Sequence, residues 1–361
     1  MEVILIAKEL ADMVIESGAR SLAVVGTAKN VGKTVAMNYL VSELSAKGLA
    51  VGLVSSGRDG ETVDSFTGEP KPGVIPPAGA WIATAEGVLG ESGTCLEITD
   101  VLERAGIFGR LVIGRVVDSV PVELVGPRSA RELSSVVRKL IAFGADIVLV
   151  DGALDRRAAA SPQVTDATVL ATGAAAESNL KSLADRLNFL VWLLSRPEPE
   201  NRFVKDLARK AMDRDVVCFI DSCLNKLVIR PTRYPTVLGN EDEVLEEAEN
   251  AVAVAVPGAV NQVFLSKVRS WVDDTGFSVI ARDPVSIFAD KDPGVNLYVA
   301  ERLRLLAVTV NPMCYMGISY DSRQMVSTIG SRLRSAGYPL PVFDVVSGEK
   351  SVKGVSEVAM G

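Results

Sequence analysis

The segment Gly26-Thr27-Ala28-Lys29-Asn30-Val31-Gly32-Lys33-Thr34 holds the residues of this chain best suited to chemistry. Glycine lets backbone come close to an anion, successive amide N–H groups in a turn can point one way, and a helix start adds partial positive charge. A lysine closing such a turn reaches the outer phosphates of a nucleotide, and the hydroxyl beside it can hold Mg²⁺. On this reading Lys33 clamps the phosphates, Thr34 binds the metal and Gly32 allows the close approach. Gly26, Thr27, Ala28, Lys29, Asn30, Val31 and Val35 complete the cradle. The spacing departs from the commonest phosphate-binding pattern, which leaves one residue fewer between its first glycine and its Gly-Lys-Ser/Thr end.

Mg²⁺ prefers oxygen ligands and keeps several waters. Asp151, ending the apolar run "IVLVD", is the natural carboxylate for it, although the same residue could cap the turn that follows. Asp59, Glu61 and Asp64 form a second acidic group in "GRDGETVD". Carboxylates this close raise one another's pKa unless a cation sits among them. Asp59 lies nearest the preceding strand end and is the second metal candidate. Arg58, Lys71, Arg156 and Arg157 could hold an anionic group, or simply face solvent. Ser129, with Glu132 three residues on, reads as a capped helix start. Asn311-Pro312 reads first as a turn.

What is missing narrows the chemistry further. The chain has 361 residues and no histidine, which excludes a Ser-His-Asp triad, imidazole-ligated zinc and an imidazole base. Its four cysteines, Cys95, Cys218, Cys223 and Cys314, lack zinc-knuckle spacing and read as buried free thiols. A net charge of −7 and a pI near 5.0 argue against a nucleic-acid binder. Hydrophobic residues make up 48%, enough for a large core, yet no apolar run is long enough to span a membrane. The N-terminal stretch carries Glu2 and Lys8 and reads as an amphipathic helix rather than a signal peptide, so a cytoplasmic protein is expected.

The elements that must position these residues follow from the alternation of strand-like and helix-like runs, which predicts an α/β fold. "SLAVVG" (21–26) is a buried strand, and 33–48 has helical periodicity ending at glycine. Strands are expected at 49–56, 110–117, 122–127 and 145–156, a helix at 129–144, and a strand, turn and helix over 166–180. "SRPEPENR" (195–202) reads as a linker. The predicted organisation is a doubly wound, mostly parallel sheet with the phosphate loop in residues 1–195, then a second α/β domain for a partner or substrate in 196–361.

"GTAKNVGKT" resembles the modified loop of the dethiobiotin synthetase and cobyrinic acid amidating synthetase group of P-loop proteins, whose pattern Gly26, Thr27, Val31, Gly32, Lys33 and Thr34 fit. The resemblance implies ATP and Mg²⁺ as cofactors and a homodimer. In that group an aspartate after the second strand often helps hold the metal or activate the attacking group, which favours Asp59 as a catalytic residue beside Lys33. An early loop lysine of some relatives reaches a neighbouring subunit's nucleotide, and Lys29 stands one position later than theirs. A strand-end asparagine can read the base, a role Asn311 could take. Over more of the chain, "GTAKNVGKT", "GRDGE", "IATAEG", "VELVGP", "DGALDRRAAASP" and "DATVLATGA" resemble the P-loop protein associated with adenosylcobalamin-dependent lysine or ornithine aminomutases, a proposed reactivase. This implies an ATPase acting on a protein partner, an aminomutase-type enzyme. The alternatives are an ATP-dependent ligase activating a small carboxylic acid, and a nucleotide-binding module without turnover. Glutamine-dependent amidation within this chain is excluded, because the Cys/His pair it requires lacks its histidine.

Overall fold

The computed structural model describes residues 10–57, 73–92, 96–106, 108–127, 129–153, 157–223, 226–271, 276–313 and 319–351. Two compact units divide the chain. The first takes the residues up to Asn188 and again from Arg304; the second is Phe189–Leu303.

In the first unit the described strands are β1 (Ser21–Gly26), β2 (Val51–Ser55), β3 (Trp81–Ala85), β4 (Leu96–Gly106), β5 (Gly109–Val116), β6 (Ile147–Ala153) and β7 (Ala167–Gly173). The helices among them are α1 (residues 10–16), α2 (Lys33–Ala46), α3 (Glu86–Ser92), α4 (Ala130–Ala142) and α5 (Leu180–Leu194). The second unit holds β8 (Cys218–Cys223), β9 (Lys226–Pro231), β10 (Ala251–Val256), β11 (Val260–Asn261), β12 (Ser278–Ala281), β13 (Ile287–Phe288) and β14 (Asn296–Val299), with α6 (Arg202–Met212), α7 (Glu241–Glu246) and α8 (Gln262–Trp271). The chain then returns to the first unit with β15 (Leu305–Asn311), α9 (Ser322–Ser335), β16 (Val342–Phe343) and β17 (Lys350–Ser351).

The first unit is built on one mixed, mostly parallel sheet in the order β17-β16-β15-β7-β1-β6-β2-β3-β5-β4. The strands from β16 to β3 in that order run parallel, and antiparallel pairs stand at the edges. β1 and β7 are buried at every position, as expected of central parallel strands covered on both faces. Leu22, Val24, Leu53, Leu149 and Val169 share a core with Met37, Leu40 and Leu44 of α2 and Leu10 and Val14 of α1. β1 lies between β6 and β7, so the chain departs to one side after β1 and crosses to the other after β6. Such a reversal opens a crevice at the carboxyl ends of the strands, where open α/β sheets bind ligands.

The second unit has its own sheet, ordered β14-β12-β10-β8-β9, and its own core around Phe219, Val254, Phe264 and Val279. Cys218 is buried and burial pushes its thiol pKa up, whereas Cys223 is exposed; Cys95 and Cys314 lie outside the described residues.

Three expectations need correction. The second unit does not run to the end of the chain: β15 pairs in parallel with β7, from Leu305 beside Thr168 to Asn311 beside Gly173, and returns the C-terminal segment to the first sheet. The boundary near residue 195 falls instead inside α5. Residues 195–202 are not a free linker either. The Pro197 carbonyl accepts the Val299 N–H at 2.9 Å, and Glu198 pairs with Lys205 and Arg209 at 2.7 and 2.6 Å. Residues 122–127 form no ladder strand. Pro121 and Pro127 supply no N–H, and the segment is held by a bridge from Val122 to Val74 and by the Ala85 N–H donating to the Val125 carbonyl. Among the described residues no helix is long and apolar enough to cross a membrane.

Candidate functional site

The 26–34 loop leaves the buried end of β1 and enters α2, so the fold delivers it to the crevice beside β6 and β7. Its conformation is fixed at several points. The Thr27 N–H donates to the Ala171 carbonyl at 2.8 Å, and the Thr27 hydroxyl donates to the Thr172 hydroxyl at 3.0 Å. Val31 is buried. Asn30 and Gly32 both take left-handed backbone, with φ of 58° and 85°. Asparagine tolerates that region and glycine enters it without strain. Left-handed residues within a turn rotate neighbouring amides toward one side, which is the geometry of an anion nest.

Gly32 is also the N-cap of α2, with the Ala36 N–H donating to its carbonyl at 2.9 Å. As glycine it offers no capping side chain, and the first turn contains no acidic residue. A helix start carries partial positive charge, and here it stands at the carboxyl end of β1. Thr34 is half-buried in this turn, while Val35 and Lys29 are exposed.

Lys33 Nζ lies 3.0 Å from Asp151 Oδ1 and 3.2 Å from Oδ2, facing both carboxylate oxygens. Asp151 stands on β6 directly opposite Val24 of β1 and Ser55 of β2. Both side chains are largely withdrawn from water, with 11% and 12% of their surfaces exposed. The Asp151 backbone carbonyl accepts the Ser56 N–H at 2.8 Å, tying β6 to the end of β2. A buried carboxylate needs a cation, and Lys33 supplies one.

Of the other candidates, Asp59, Glu61, Asp64, Arg58, Lys71 and Arg156 lie outside the described residues. Ser129 caps α4, its hydroxyl accepting the Glu132 N–H at 3.3 Å. Asn311 forms a turn through its Oδ1, which accepts the Met313 N–H at 3.1 Å, and the fold also sets it against Gly32. Sequence reasoning missed two features: the "ATG" end of β7, which anchors Thr27, and the close approach of Asn311 to Gly32, since it offered Asn311 only as a turn residue or a reader of the base. The small residues of "LATGA" are the signal for the first, since only small side chains let a second backbone approach a strand end. Among the described residues no three acidic or cysteine side chains gather to hold a metal ion. Mg²⁺ does not require such a cluster, because phosphate oxygens and water supply most of its ligands. A separate, open cavity of about 730 Å³ in the second unit is lined by Leu245, Val263, Lys267 and Trp271, but there Lys267 is paired with Asp242.

No family model matches the chain, and no curated protein matches it in sequence.

Proposed function

We propose that the 26–34 loop is a P-loop that binds ATP with Mg²⁺, and that the protein hydrolyses ATP to act on a protein partner. One observation carries this reading. At a glycine-started helix, Lys33 rests on both oxygens of Asp151, a buried carboxylate on the adjacent parallel strand. The pair supplies what a Mg–triphosphate needs: a cation for the outer phosphates and an acid for the metal's water shell. The residues fit the cofactors. Gly26 and Gly32 keep side chains out of the turn, α2 starts with neither a capping side chain nor an acidic residue in its first turn, and Thr34 offers a hydroxyl next to Lys33. Asp59 would be the second acid.

Phosphoryl transfer asks the protein chiefly for positioning and charge. Mg²⁺ would neutralise the phosphate tail when bound. Lys33 would turn from Asp151 to the phosphates when nucleotide binds, and Asp151 would help orient water around the metal. The loop amides hold the remaining charge in place without rearranging, because Thr27 and Val31 are already fixed.

The protein-partner reading draws on the second unit. It has a sheet and core of its own, inserted between β7 and β15, which is more structure than a small-acid pocket requires. The resemblance to the aminomutase-associated protein makes a cobalamin-dependent aminomutase the partner class to try first. The test is ATP turnover by the wild-type chain and by Lys33→Ala, each with and without such an enzyme or a panel of small carboxylic acids. Lys33→Ala should lower affinity or turnover at least about tenfold. An unchanged rate overturns the site. Stimulation by an acid alone replaces the partner reading with a ligase.

A further inference from the structure

Asn311 is the last residue of β15, the strand by which the chain returns from the second unit, and its register partner is Gly173 at the end of β7. A Cβ placed on Gly32 would fall 2.8 Å from the Asn311 Cβ. On Gly173 it would fall 2.8 Å from the Asn311 carbonyl oxygen and 3.1 Å from the Val31 Cα. The loop at Val31 and Gly32, the end of β7 and the end of β15 thus meet at distances that leave no room for a further carbon atom. Asn311 is itself locked. Its carbonyl accepts the Ala174 N–H at 2.9 Å, and its Oδ1 accepts the Met313 N–H at 3.1 Å. Its Nδ2 is turned to the Gly32 side, 3.5 Å from that glycine's would-be Cβ.

We propose that Asn311 is a positioning residue for the phosphate loop. Its Cβ wedges against the left-handed Gly32 and its carboxamide, tied to Met313, keeps the wedge in place, so the loop amides stay converged on the phosphate chain. It acts on the loop and not on the base. A loop held in its bound form gains affinity by avoiding the ordering cost on binding. The three nearest atoms that a Cβ on Gly32 would meet all belong to Asn311, so the wedge is the contact that faces this turn. This inference rests on the nucleotide reading above.

The test is calorimetry with Mg²⁺ and either ATP or inorganic tripolyphosphate, which has the phosphates but no base. Asn311→Gly removes both wedge and lock, and should weaken both ligands by the same factor, about tenfold. Asn311→Ser keeps a Cβ and a hydroxyl acceptor for the Met313 amide, and should recover most of the loss. Asn311→Ala keeps only the Cβ and should fall between them; it serves as the deletion variant if the glycine form does not fold. Thermal unfolding midpoints confirm that the variants compared are folded. A loss confined to ATP, with tripolyphosphate unaffected, would mean that Asn311 contacts the base and overturns the proposal, as would glycine or alanine variants that bind both ligands like wild type. A wild-type chain that binds neither ligand removes the nucleotide reading itself. Wild-type binding with unchanged variants removes only the role of Asn311.

Discussion

If Lys33 must leave Asp151 to reach phosphate, neutralising the aspartate should have opposite effects with and without metal. At the observed 3.0 Å, two unit charges attract by about 5 kcal/mol at an effective dielectric of about 20. Desolvation offsets much of this in a pair as withdrawn as this one. The asymmetric term matters more: taking the cation from a buried carboxylate without replacing it costs about 3 kcal/mol or more. On that reading wild-type protein would incur that cost on binding ATP without Mg²⁺, and would avoid it if the metal arrived with the nucleotide. Asp151→Asn has no such cost. Allowing for residual solvent at the site, its affinity for ATP in EDTA should exceed that of wild type by about 2 kcal/mol, or about thirtyfold. Added Mg²⁺ should tighten wild type strongly and Asp151→Asn little. Titration of a fluorescent ATP analogue in EDTA and in Mg²⁺ gives all four constants. The exchange of partners is refuted if Asp151→Asn binds metal-free ATP no better than wild type while responding to Mg²⁺ as wild type does.

Other consequences are direct. A Cβ on Gly126 would lie 1.7 Å from the Ser55 carbonyl oxygen, at the strand end that pairs with Asp151, so Gly126→Ala must displace backbone there. It should cost at least about 3 kcal/mol, seen in a scanning calorimeter as a melting temperature lower by about 5 °C or more; a midpoint equal to wild type would contradict the contact. In the second unit, burial raises the Glu198 pKa, but hydrogen bonds from Lys205 and Arg209 outweigh it and hold the carboxyl below the ordinary glutamate value. A depressed folded-state pKa contributes stability above the unfolded value of about 4.3, and that contribution is lost as pH falls through the lower folded value. Glu198→Gln should therefore lower the urea midpoint at pH 7 and shrink the difference between pH 7 and acid; an undiminished acid dependence would discount the cluster.

What the chain discloses locally and what it hides divide along a physical line. β1, α2, α4, β6 and β7 are legible because each is a contiguous apolar or periodic run with punctuation at its ends: Gly32 before α2, Ser129 before α4. The failures are matters of pairing. "LLAVTV" in β15 is as apolar as "AVAVAV" in β10, and nothing within six residues says that one joins the first sheet and the other the second. That choice is made by hydrogen bonds to β7, a segment far away in sequence. The 122–127 run fails in the opposite way: its apolar residues are buried, but prolines at either side deny it a ladder.

Glycines show the same division at the site. Gly18, Gly48 and Gly337 have positive φ and open space around them, so each serves its own turn. Gly126, Gly152 and Gly173 do not have positive φ; a Cβ on them would meet Ser55, Ala159 and Asn311 at 1.7, 2.6 and 2.8 Å. Gly126 and Gly173 are crowded by segments distant in sequence and Gly152 by the turn seven residues on, and all three gather at the carboxyl ends of β2, β6 and β7, around the loop that ends at Gly32 and Lys33. A turn glycine is a local choice that another turn could replace. A crowding glycine records two backbones brought together, and here it marks the side of the sheet where Lys33, Asp151 and Asn311 converge.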